Sequence, residues 1–192
     1  MGFSPEVKFK DGTLIEYVAD IKLLGVVVSS DTRWSKNTDY ICHKARGKLW
    51  ILRRLLNLNL DIYQMFDVYT KEVRSILELA VPVWHSGLTK QQSQDIERIQ
   101  KAAMQIILQD KYSNYQLAWQ TFSSQTLELR RVKLCSKFAS KNLKSENCFF
   151  SKVCQTVNTR QKPNLVREIR CRTTRYQKSS LPFLAQLLNR KV

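Results

Sequence analysis

The sequence predicts an α+β chain: a small N-terminal β-hairpin plus strand, a mostly helical bundle, and a basic C-terminal arm. Three observations carry this. Apolar residues alternate or run consecutively up to about residue 30, then recur every three or four residues, the change from strand to helix periodicity. Hydroxyl-bearing or acidic residues stand where the helices should begin. The charge is uneven: residues 1–110 hold 15 Lys and Arg against 13 Asp and Glu, and residues 111–192 hold 17 against 3.

Val7 and Phe9 alternate with lysines, Asp11-Gly12 marks a tight turn, and residues 14–18 return, which predicts the hairpin. Residues 21–28 are almost continuously apolar and are expected as a third strand buried on both faces. Ile41, Ala45, Leu49, Leu52 and Leu56 then form one stripe over residues 39–57, with Lys44, Lys48 and Arg54 off it. A second helix is expected from an N-cap at Asp61 through Met65, Val68, Val73, Ile76 and Ala80, with Pro82 ending it. Thr89 and Gln92 make a capping box, each side chain able to serve the other's free backbone N–H. It opens a third helix that buries Ile96, Ile99, Ala103, Ile106 and Ile107. Ser113 and Gln116 repeat the box before a short fourth helix. A fifth, over residues 126–143, should bury Leu127, Leu134, Cys135 and Phe138 and turn Arg130, Arg131, Lys133, Lys137 and Lys141 elsewhere. Residues 144–179 lose the period and carry many cations, which predicts a loosely packed arm. Residues 181–188 should dock back as one helix. The organisation expected is therefore 1–30, 31–143 and 144–192.

At 43% hydrophobic residues, the chain can build one good core. No apolar run approaches the roughly 18 residues that span a bilayer. Met1–Glu6 does not read as a signal peptide, and Glu6 stands where myristoylation at Gly2 would want Ser or Thr. A net charge of +16, concentrated in the C-terminal part, points to a polyanion: each cation that meets a phosphate releases counterions. Cys42, Cys135, Cys148, Cys154 and Cys171 are odd in number and form no CxxC pair, with His43 and His85 distant in sequence. They read as reduced structural thiols rather than a zinc site. With no Asn-x-Ser/Thr acceptor, an intracellular setting, nucleus or cytoplasm, is expected.

Several segments carry a family resemblance. They are Lys22-Leu-Leu-Gly-Val-Val-Val-Ser-Ser-Asp-Thr-Arg-Trp34, Ile41-Cys-His-Lys44 with Leu49-Trp-Ile-Leu-Arg-Arg54, and Arg74-Ser-Ile-Leu-Glu-Leu-Ala-Val-Pro-Val-Trp-His-Ser-Gly-Leu88. Asp95-Ile-Glu-Arg-Ile-Gln-Lys-Ala-Ala-Met-Gln-Ile-Ile107, Leu127-Glu-Leu-Arg-Arg131 and Thr174-Arg-Tyr176 with Ser180-Leu-Pro-Phe-Leu184 continue the series. In this order and spacing they resemble the thumb and post-thumb region of non-LTR retrotransposon reverse transcriptases. The resemblance covers roughly residues 15–188 and rests on order, since no single motif is specific. It departs at Thr38-Asp39, where the family often has His, and at Gln109, where it often ends a helix with Gly.

The resemblance implies a part that holds RNA and DNA, as template–primer or hybrid, by sequence-nonspecific phosphate contacts. Polymerisation needs paired carboxylates on two metal ions, and this sequence has neither Asp-Asp nor Asp-x-Asp. No catalytic residue, metal or cofactor is therefore expected in it. Segments of this kind are also grouped with the N-terminal domain of an AlkB-like alkylated-DNA-repair homologue, which would imply dioxygenase or methyltransferase chemistry. Neither His43 nor His85 has the Asp two residues on that iron needs, and five scattered glycines supply no cofactor turn. Trp84-His85 reads as a packing pair.

The candidate nucleic-acid contacts are Arg53, Arg54, Arg130 and Arg131 on helices, and Arg160, Lys162, Arg167, Arg170, Arg172, Arg175 and Lys178 on the arm, with Tyr176 to stack on a base. Adjacent arginines on a helix point about 100° apart, so one of each pair can reach phosphate while the other does not. The rival readings are a helical protein-interaction domain, using the apolar faces of residues 39–57 and 61–80, and a remnant without activity.

Overall fold

The computed structural model describes residues 7–145, 149–154, 156–157, 165–167 and 169–190. The hairpin lies later than expected. Strands β1 (Asp20–Leu23) and β2 (Val26–Ser29) pair antiparallel, Leu23 opposite Val26, and split the apolar run read as one strand. The two-residue turn between them is Leu24-Gly25, both at positive φ (48° and 85°), the geometry that matches strand twist in the tightest hairpins. Glycine suits the second position: φ 85° strains other residues, and a Cβ on Gly25 would stand 2.9 Å from Leu79 Cδ2, which would have to shift. Val26 is buried against the helices, whereas all of β1 is exposed, so burial on both faces does not occur. The Asp11-Gly12 turn forms, but it closes only an isolated Lys8–Leu14 bridge.

Helix α1 (Ser35–Leu56) buries Ile41, Ala45, Leu49 and Leu52 of the expected stripe, leaves Leu56 partly buried, and begins four residues earlier than the predicted 39–57. Asp61 caps α2 (Ile62–Val68) in a reciprocal box with Gln64. A π-helical turn (Tyr69–Arg74) and α3 (Ser75–Leu77) continue it. The buried residues are Met65, Tyr69, Val73 and Leu77. A spacing of four drifts about 40° per step on an α-helix, and the wider π turn takes up that drift. Pro82 does not end this helix. It ends at Leu77, with Glu78 as C-cap. Ala80, in the left-handed region (φ 50°, ψ 30°), then precedes α4 (Val81–Trp84), and Pro82 sits in the first turn of α4, where its missing N–H costs nothing. A 3-10 turn, His85–Gly87, leads to α5 (Lys90–Leu108), opened by the Thr89–Gln92 box.

α5 ends at Gln109, at φ 45° and ψ −120°, a backbone region that favours glycine. Gln109→Gly is expected to stabilise the protein by about 1 kcal/mol, read as a higher urea midpoint with unchanged slope. An unchanged midpoint would mean that this backbone carries no strain. The cap of α6 (Tyr115–Thr121) is Asn114 rather than Ser113; its Oδ1 accepts from Leu117 N at 2.8 Å. Thr126 caps α7 (Leu127–Leu143). Leu127 and Cys135 are buried as expected, Leu134 partly so, and Phe138 is exposed.

The described part of the expected arm is docked rather than loose. In α8 (Phe149–Val153) Phe150 is buried, as is Cys154 just after it. β3 (Thr156–Val157) pairs with β4 (Leu165–Val166). Val166 N donates to Asn189 Oδ1 and Val166 O accepts from Asn189 Nδ2 on α10 (Ser180–Arg190), after the short α9 (Thr174–Gln177). Leu184, Ala185, Leu187 and Leu188 complete a core that starts at Val26, so residues of all three expected segments share it. No described helix is long and apolar enough to cross a membrane.

Candidate nucleic-acid interface

The adjacent arginines of α7 are consumed inside the fold. Arg130 makes a two-pronged ion pair with Glu78, at 2.5 Å from Nε and 2.9 Å from Nη2, and Arg74 approaches the same carboxylate at 4.0 Å. Arg131 is fully buried, which corrects its placement on an outer side. Its Nη2 donates to Ser93 Oγ at 2.6 Å and its Nε to His85 Nδ1 at 3.4 Å. Burial first, and then the Arg131 charge, push the His85 imidazole down to a pKa of about 4, so it stays neutral and accepts from Arg131. These two arginines build the fold and have little to offer a phosphate.

A polar spine runs beside them. Tyr69 Oη donates to Gln100 Oε1 at 2.8 Å, Gln100 Nε2 donates to Tyr115 Oη at 2.9 Å, and Tyr115 donates to Glu97. Burial and Glu97 hold the Tyr115 hydroxyl protonated. The spine ties the π turn to α5 and α6, and reaches α7 because Glu97 Oε1 accepts from Leu127 N at 3.0 Å.

Two of the expected cations, Arg175 and Lys178, line one cleft of about 560 Å³ between the starts of α1, α5 and α10. The others in its wall are Thr32, Arg33, Trp34, Ser35, Val83, Gly87, Thr89, Gln92, Ser179 and Ser180. None is acidic. Asp31 stands just outside the cleft wall: its Oδ1 accepts from Arg33 N at 2.9 Å and its Oδ2 lies 3.8 Å from Arg33 Nε, in a side-chain pair open to solvent and therefore weak. Among the described residues Arg175 and Lys178 show no ion pair.

The walls are held by local chemistry. Gln92 Nε2 donates to Ser35 Oγ at 3.0 Å, which ties the start of α5 to that of α1. Thr173 caps α9 by accepting from Tyr176 N at 3.2 Å, and Ser179 Oγ donates to Tyr176 O at 2.7 Å, so the α9–α10 corner that carries both cations is fixed. Gly87 lets the indole lie close: a Cβ there would be 2.5 Å from Trp34 Cδ1 and Nε1. No side chain caps α1. The positive ends of three helices add to the field of the cations.

Neither a protein-family model, nor a curated protein, nor a solved structure matches this chain.

The remaining expected residues scatter. Arg53 and Arg54 are exposed in the last turn of α1, about 27 Å along the helix from its start at the cleft. Arg170 borders a separate pocket beside α10, and Arg167 and Arg172 are exposed. Tyr176 is exposed on α9 and is not in the cleft wall. Arg160 and Lys162 lie outside the described residues. Arg33 and Trp34 were not among the expected contacts, although a basic-aromatic pair just before a helix start is a legible signal.

The described residues bring no three His, Cys, Asp or Glu together in a metal-holding group. Burial raises the Cys42 thiol to about 11 and the Cys135 thiol to about 12, so both stay protonated and poor nucleophiles. The apolar stripe of α1 and the face of α2–α3 that a helical docking domain would use are spent in the chain's own core.

Proposed function

We propose that this chain is a noncatalytic nucleic-acid-binding element that holds RNA or DNA by its phosphates, without reading sequence. The observation that carries this is the acid-free cleft where Arg33, Arg175 and Lys178 meet. The excess of cations over residues 111–192 supports the same reading, since it favours any polyanion at long range. So does the order of segments that resembles the post-palm part of a non-LTR reverse transcriptase; such a part would grip template–primer through the backbone. Its location in the nucleus or cytoplasm belongs to this proposal.

The test is binding to an RNA–DNA hybrid across a salt series, comparing the intact chain with Arg175→Ala/Lys178→Ala. Two lost phosphate contacts should flatten the log–log salt slope by about 1.4 to 1.8 and weaken binding most at low salt. Point substitutions suit this better than removal of residues 158–179, because Val166 is part of the core. An unchanged slope in a folded variant would move the proposed site elsewhere; salt-independent binding would favour apolar docking.

A further inference from the structure

We propose that the cleft takes one unstacked nucleotide of a single strand, its phosphate against Arg33, Arg175 and Lys178 and its base against Trp34 and Val83. The inference rests on the nucleic-acid reading above and narrows its ligand.

Shape is the first reason. A duplex presents its phosphates on a convex surface and keeps its bases stacked inside, so a convex backbone meets only the rim of a cleft. About 560 Å³ is the size of a site for a small molecule. Chemistry is the second. The wall joins three cations and the hydroxyls of Ser35, Thr89, Ser179 and Ser180 to an aromatic and an apolar side chain. Val83 is about half exposed, at 47%, and partly exposed Trp34 is held in place by the close approach of Gly87. Apolar surface left open among cations suits a ligand with a flat apolar part beside its charge. A base supplies that part only once it has left its stack, and aromatic stacking accepts any base.

The experiment compares a labelled oligothymidylate with a blunt RNA–DNA hybrid of the same length, in the intact chain carrying Trp50→Phe. That change removes the exposed indole on α1; Trp119 on α6 stays partly exposed, so the Trp34→Phe comparison assigns the quenching to the cleft. Single strand should bind about tenfold tighter than blunt hybrid and quench the indole emission. Adding Trp34→Phe should abolish most of that quenching while leaving the circular dichroism unchanged. Adding Arg175→Ala should weaken both probes. Equal or tighter binding of the blunt hybrid would overturn the proposal and leave the phosphate-binding reading standing. So would single-strand binding with the same quenching after Trp34→Phe. If neither probe binds a folded protein at low salt, both readings fall.

Discussion

Glu78→Ala is expected to cost about 3–5 kcal/mol. Glu78 is only 13% exposed and is the one carboxylate that Arg74 and Arg130 share. Arg74 is similarly buried, and its guanidinium pKa is lowered, first by burial and then by the Arg130 charge. Removing the carboxylate therefore leaves two guanidiniums facing each other in a poorly solvated site, with neither repaid for its desolvation. Arg130→Ala should cost much less, because the Glu78–Arg74 contact survives. Urea unfolding checks this: the midpoint should fall far more for Glu78→Ala than for Arg130→Ala. Equal, small losses would show that water screens the triad and that its members act as ordinary surface charges.

Stability is also expected to fall as pH drops from about 6.5 to about 4. In the unfolded chain His85 takes a proton near pH 6.5, whereas in the folded protein it resists until about 4. Between these values the unfolded state binds more protons, so acid favours unfolding. The stability is fully present above pH 6.5 and is lost progressively toward pH 4, by roughly 2–3 kcal/mol for this group after allowance for its partial exposure. The cause is tertiary: a protonated His85 could no longer accept from Arg131 Nε and would meet a buried like charge. His85→Asn should flatten the fall over this window, read from urea midpoints at a series of pH values. A variant that tracks the wild type across the window would assign the acid sensitivity to the carboxylates.

Local chemistry made several elements readable in advance. The caps at Asp61 and Thr89 were legible because a cap needs only its own residue and the next three. The α1 stripe was legible because one helix face must find the core. The misreadings have local causes as well. The continuous apolar run predicts one strand, whereas the turn at Gly25 also needs Leu24 to accept a positive φ that leucine disfavours. A proline after an apolar period predicts a stop, yet the fixed φ of Pro82 equally suits a helix start.

The candidate site followed another rule. Arg130 and Arg131 are neighbours of the same type, and only the packing of α7 decides that one meets Glu78 and the other His85 and Ser93. The cleft gathers residues 32–35, 83–92 and 175–180, segments far apart along the chain. Composition by itself determined the sign and abundance of the charge, and periodicity determined the long helices but not the short α4, α8 and α9. Which cations point together into acid-free space, and which are spent as internal struts, was decided by tertiary structure alone. A side chain's partners across the core are set by how helices pack, and a local pattern carries no record of that.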